Sequence, residues 1–185
     1  MNIKGVNCVK IFVAGPRAIS SLSNAVKERL LGICNNGFTI LVGDADGVDS
    51  AVQKYLTQIN YPNVRVYASN GKVRNNHGHW PVEAVQVAQH IRGFDFYAMK
   101  DNAMVANADY GFMVWNSESK GTLTNIVNLL NAGKKVLVYL HPQNAFHCID
   151  TFNKLENIIR RVPQKTRTMF YDLRKTNLRP EKMGA

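Results

Sequence analysis

The chain has 185 residues, 45% of them hydrophobic and 19% charged, which suits one well-cored domain and excludes disordered and fibrous classes. No run approaches the ~18 apolar residues of a membrane-crossing helix, so no membrane partner is expected. Lys and Arg number 23 against 13 Asp and Glu, a net charge of +10, and nine of those bases against three acids fall between Asn153 and Ala185.

The elements alternate along the chain. Cys8 to Ala14 is a short apolar run closed by Gly15-Pro16, the form of a strand buried on both faces. Ser20 or Ser21 is placed to cap a helix with Leu22, Val26, Leu30 and Ile33 on one face. Asn35-Asn36-Gly37 ends that helix, and Phe38 to Val42 reads as a second strand. Asp49 is placed to cap the next helix, with Val52, Tyr55, Leu56 and Ile59 inward, and Pro62 breaks it before a third strand, Val64 to Tyr67. Ser69 to Trp80 is polar and basic and reads as a long loop, of a length that often forms a lid or binding segment. Its His77, His79 and Trp80 either stack on a base or face solvent. Pro81 to about Ala108 reads as helix broken at Gly93. Tyr110 to Trp115 is a fourth strand, Gly121 to about Ala132 a helix, and Lys135 to Leu140 a fifth strand. A last amphipathic helix carries Phe152, Leu155, Ile158, Ile159 and Val162. This alternation gives an α/β chain: a parallel sheet of about five strands with helices on both faces and ligands beyond the strands' carboxyl ends.

Two of those strand ends carry glycine-containing turns. Asn116-Ser117-Glu118-Ser119-Lys120-Gly121-Thr122 joins a strand directly to a helix, where free N–H groups, hydroxyls and a lysine suit an anion. A plain capped turn has the same composition. Gly43-Asp44-Ala45-Asp46-Gly47-Val48-Asp49 lacks the lysine of a phosphate-binding P-loop and the spacing of a calcium loop, so no metal site is expected. Arg17, just past the first strand, is placed to pair with a phosphate or with one of those aspartates. Cys8, Cys34 and Cys148 show no metal or disulfide spacing; the first two sit in apolar segments and read as buried thiols of a reducing cytoplasm. Met1 to Gly5 lacks a secretory apolar run, which supports the same location.

Four blocks, Ile11 to Arg17, Val42 to Ala51, Lys100 to Asp109 and Trp115 to Thr122, in this order resemble the SLOG superfamily of Rossmann-like nucleotide-binding proteins, especially its small YspA/YpsA-like members, with the LOG phosphoribohydrolases and DprA as further relatives. Ile11 to Arg17 resembles the family's opening strand and G-S-R turn, with Pro16 in the middle position. Val42 to Ala51 is similar to GGA-x-G-x-D-x-x-A, with Asp44 at the second Gly. Lys100 to Val105 with Ala108-Asp109 resembles R-N-x-x-M-v…A-D, and Trp115 to Thr122 resembles W-d-g-x-S-x-G-T. The resemblance implies a Rossmann-like domain over residues 1–150, with residues 151–185 a C-terminal amphipathic helix and basic tail packed on it or extending from it.

It also implies a nucleotide or ribosyl-phosphate ligand, and relatives that dimerise make a homodimer the expectation. The ligand would touch Gly15, Arg17, Gly43, Asp46, Gly47, Lys100, Asp101, Asp109, Trp115, Ser117, Ser119, Lys120, Gly121 and Thr122, with phosphate over Gly121-Thr122 and no cofactor. In LOG-type enzymes an Arg and a Glu carry N-glycosidic cleavage; those places hold Lys100 and Asn125, and an amide cannot act as a general base. The expected function is therefore nucleotide binding by a sensor or by a weak or inactive enzyme homologue. N-glycosidic cleavage using Asp101 is the first alternative. DprA-like single-strand binding through the basic C-terminus, with Phe170 and Tyr171 among its cations, is the second.

Overall fold

From Ile11 to Ala14, no side chain of the first strand, β1 (Lys10–Ala14), faces water. The computed structural model describes residues 8–177; the tail bases Arg179 and Lys182 lie outside the described residues. After β1 come α1 (Asn24–Asn35), β2 (Thr39–Gly43), α2 (Val48–Gln58), β3 (Val64–Ser69) and β4 (Val82–Val85). The chain continues through α3 (Gly93–Asn107), β5 (Tyr110–Trp115), α4 (Lys120–Asn131) and β6 (Val136–Leu140). It closes with β7 (Ala145–Ile149), α5 (Phe152–Ile159) and α6 (Gln164–Asn177). The strands form one sheet in the order β4-β3-β2-β1-β5-β6-β7, parallel throughout except for β7 against β6.

Alternate strand residues feed two cores, which is why the strands read as unbroken apolar runs. Ile11, Val13, Ile40 and Val42 face Val26 and Leu30 of α1 and Val52 and Leu56 of α2. Phe12, Leu41, Met113 and Trp115 face the other way, onto Met104 of α3, Leu123 and Ile126 of α4, Leu155 of α5 and Phe170 of α6. Each large apolar side chain so buried contributes about 1.5–3 kcal/mol. The chain runs outward from β1 through β2, β3 and β4, then returns to pair β5 with the other side of β1. Right-handed crossovers in opposite directions place helices on opposite faces, so the strand order reverses between β1 and β5 and a crevice opens there.

The expected strands are present, and the sheet is wider by two. Residues expected as helix after Pro81 form β4, where Val82–Val85 pair with Val66–Ser69 at the sheet edge; backbone pairing overrides the helix-forming composition. Gly93 (φ +61°) marks the start of α3 rather than a break within a helix. Beyond β6, the turn at Asn144 (φ 49°) sends β7 back antiparallel, and α6 extends the chain past the last expected helix. Leu22 is buried ahead of α1, so Ser23 rather than Ser20 or Ser21 caps that helix, its Oγ accepting from the Val26 amide at 3.4 Å. Cys34 is buried, and burial pushes its thiol up to about 11; Cys8 and Cys148 are exposed.

Candidate functional site

The crevice beyond β1 and β5 has a volume of ≈ 390 Å³. Its walls are the β1–α1 turn, the β2–α2 turn, one face of α3 and the start of α4. Gly15, Arg17, Lys100, Asp101, Ser119, Gly121 and Thr122 of the expected set all line it, and so does Asn125.

Packing at the floor explains the β2–α2 turn. Gly47 adopts φ +80° with its Cα against the Pro16 and Arg17 backbone, a position closed to any larger residue. Because Gly47 is the first residue before α2, Asp49 falls inside the helix and is not its cap. Its carboxylate is buried and accepts from the Ala45 amide at 3.3 Å. A Cβ on Gly43 would collide with Asp49 Oδ2 and lie 2.6 Å from Lys100 Nζ. Gly43 therefore makes room for an acid and a base packed against the end of β2.

Around them is a charge network. Lys100, 4% exposed, donates to Asp101 Oδ1 at 2.8 Å, while Asn125 Nδ2 donates to Asp101 Oδ2 at 3.0 Å. Burial opposes the charge on Lys100, but Asp101, Asp49 and Asp44 outweigh it and hold its pKa above the usual lysine range. Desolvation lifts Asp49 to about 7, against the pull of Lys100. Asp44, 2% exposed, takes Arg74 bidentately, with Nη2 at 2.6 Å and Nε at 3.1 Å. Burial raises the Asp44 carboxyl, but those bonds prevail and hold it below the usual range.

The mouth is cationic and aromatic. Tyr97, exposed on α3, lies between the guanidiniums of Arg17 (4.9 Å) and Arg74 (5.0 Å), and Lys120 Nζ lies 4.6 Å from the exposed Phe94 ring. Ser119 caps α4 by accepting from the Thr122 amide, and Thr122 Oγ1 donates to Ser119 Oγ at 3.1 Å. The Lys120 and Gly121 amides have no acceptor among the described residues. A Cβ on Gly121 would touch nothing within 4 Å, so no protein atom requires glycine there.

Other expected site residues lie elsewhere. Asp109 is at the opposite end of the sheet, accepting from the Lys10 amide at 2.7 Å, because it immediately precedes β5 rather than following it. Trp115 is buried and donates Nε1 to the Ser119 carbonyl at 3.2 Å, a brace behind the site. Ser117 is 6% exposed, and Asp46 points to Asn75 at 3.0 Å. Trp80 is buried, donating to the Tyr61 carbonyl at 2.9 Å, and His77 pairs with Ser50 at 2.8 Å, so neither is a free stacking group. Arg74, Tyr97 and Phe94 are the residues sequence reasoning missed; the acid Asp44 and the basic loop around Arg74 were its available signal. Among the described residues, no three His, Cys, Asp or Glu side chains converge as metal ligands. No helix among them is long and apolar enough to cross a membrane.

The fold and this crevice define a mostly parallel Rossmann-like α/β chain. No family model matches it, and no curated protein matches it in sequence. Among solved structures it is similar to DNA processing protein A from Helicobacter pylori, whose structure concerns its single-stranded DNA binding mode. The TM-score is 0.58 at 15% identity, over 91% of this chain and 81% of that one. At that identity the likeness is one of fold.

Proposed function

We propose that the crevice binds single-stranded nucleic acid one nucleotide at a time, phosphate at the start of α4 and base against the α3 aromatics. One observation carries this reading: unpaired Lys120 and Gly121 amides share a mouth with two exposed rings, Tyr97 beside two guanidiniums and Phe94 beside one ammonium. Amides at a helix start suit a phosphate, and rings with nearby cations suit a base without selecting its sequence. Gly121 costs helix stability of about 1 kcal/mol relative to Ala, and close approach of a ligand accounts for it. The fold likeness to a single-stranded DNA binder is consistent with the reading.

A second reading is the free nucleotide or ribosyl phosphate, with Asp101 as hydroxyl acceptor; the enclosed acid–base floor favours it. N-glycosidic cleavage is weakened by the same floor, since both oxygens of Asp101 already accept hydrogen bonds. The apolar stripe of the last expected helix, Leu155, Ile158 and Ile159, is buried within the chain.

Fluorescence anisotropy with labelled oligothymidylate tests the proposal. Gly121→Gln introduces a better helix former but blocks backbone approach, and loss of a charge-assisted bond should weaken binding by about 1.5–3 kcal/mol. Unchanged affinity would place the phosphate elsewhere. A mononucleotide that binds as tightly as the oligomer would favour the second reading.

A further inference from the structure

Two helix starts meet at one edge of the crevice. Thr166, fully buried in the first turn of α6, donates its hydroxyl to the Ser117 carbonyl at 2.8 Å. Ser117 lies two residues before the α4 cap Ser119, with φ +68°, and its own buried hydroxyl has no hydrogen-bond partner among the described residues. The segment that this bond pins, Arg160 to Arg167, joins α5 to α6 and holds four bases and no acid. Arg160, Arg161 and Lys165 are exposed. Arg167 is half-buried and donates to the Arg160 carbonyl and to Gln164 Oε1.

Local stability accounts for only part of these charges. Arg160 and Arg161 follow the last residue of α5, where cations suit the helix end. Lys165 lies in the first turn of α6, and a helix start carries positive partial charge and is stabilised by acids, so this base acts against its helix. Neither α4 nor α6 has an acid in its first turn. Both positive ends therefore meet at the buried Ser117–Thr166 bond, two residues from Ser119 of the crevice wall, and the exposed bases flank the α6 start. Arg161 also lines a cleft of ≈ 380 Å³ between β7 and α5, together with Gln143 and with Lys154, which is paired with Asp150.

We propose that the α5–α6 turn carries the phosphates of a nucleic-acid strand whose adjoining nucleotide occupies the crevice, with Arg160, Arg161 and Lys165 as the contacts. This rests on the crevice being a nucleic-acid site. It adds the route by which the strand leaves: from the start of α4, across the Ser117–Thr166 bond, toward β7. A free nucleotide fills the crevice alone and does not touch the turn.

The test compares labelled oligothymidylates of about 4 and about 16 nucleotides on the full chain across a salt series. The triple variant Arg160→Ala, Arg161→Ala, Lys165→Ala should bind the longer oligomer at least about tenfold more weakly at low salt. Its salt slope should be smaller by about 2, the sum expected for three lost phosphate contacts on a single strand. Binding of the shorter oligomer should stay within about twofold of the parent. Arg17→Ala, in the crevice, should weaken both lengths. Exchanging the three bases for one another (Arg160→Lys, Arg161→Lys, Lys165→Arg) keeps each charge and should restore the longer oligomer. Equal losses on both lengths, or no loss on the longer, would overturn the route while leaving the crevice reading intact. A parent protein that binds neither length overturns both.

Discussion

Asp49 is a carboxylate that the fold places at a cost to its own stability. Desolvation lifts it from 3.8 to about 7, with Asp101 adding to the rise and Lys100 opposing it. Between those values the folded protein keeps a proton that the unfolded chain has released. This group's contribution to stability therefore declines as pH rises from about 4 to about 7, and is level above. Asp49→Asn removes the dependence. In urea titrations the variant should match the parent near pH 4, gain on it up to pH 7, and keep about 3–4 kcal/mol at most beyond that. A variant less stable than the parent at pH 8 would contradict this account of the crevice floor. A residue held against stability beside a ligand crevice is the trade that functional sites commonly make.

At the level of elements, the segment from Asn70 to Pro81 is anchored rather than a free lid. Arg74 closes on Asp44, Asn75 Nδ2 donates to the Asp44 carbonyl at 3.0 Å, and Gln53 Nε2 bridges the Gly43 and Asn75 carbonyls. Trp80 packs beneath it. Arg74→Ala leaves the buried Asp44 with only the residue-74 amide as donor, which should cost about 1–3 kcal/mol and lower the urea midpoint accordingly. Amides of residues 70–80 should exchange faster while those of β1 and β5 keep their protection. Uniformly faster exchange would mean the segment is not an independent unit. The same segment shows where sequence reading stopped. Strands buried on both faces announce themselves as apolar runs, so β1, β2, β5 and β6 were legible from composition alone. Val82-Glu83-Ala84-Val85 is a strand only because β3 offers it an edge, and that long-range pairing leaves no local signature. The turns at Gly15, Gly43 and Gly121 were legible for the same reason that they matter: small residues at strand ends. Tyr97 and Arg74 were not, because their meeting depends on how α3 crosses the sheet.

Across the whole molecule, the C-terminal helices share the central core. Phe170 of α6 is fully buried in the cluster that holds Trp115, Leu123 and Met104. Phe170→Ala should cost about 3–5 kcal/mol, read as a lower urea midpoint with an unchanged slope. A loss under 1 kcal/mol would mean that α6 is an appendage. The antiparallel strand β7 has a consequence for parity. β6 delivers the chain to the crevice side of the sheet, β7 carries it back, and α5 must then return it, so the bases after α5 arrive beside Ser117. An even number of traverses brings the chain home; an odd number would leave those bases at the far rim, about 15–17 Å away by the length of a five-residue strand. One reversed strand thus decides which rim receives Arg160, Arg161 and Lys165.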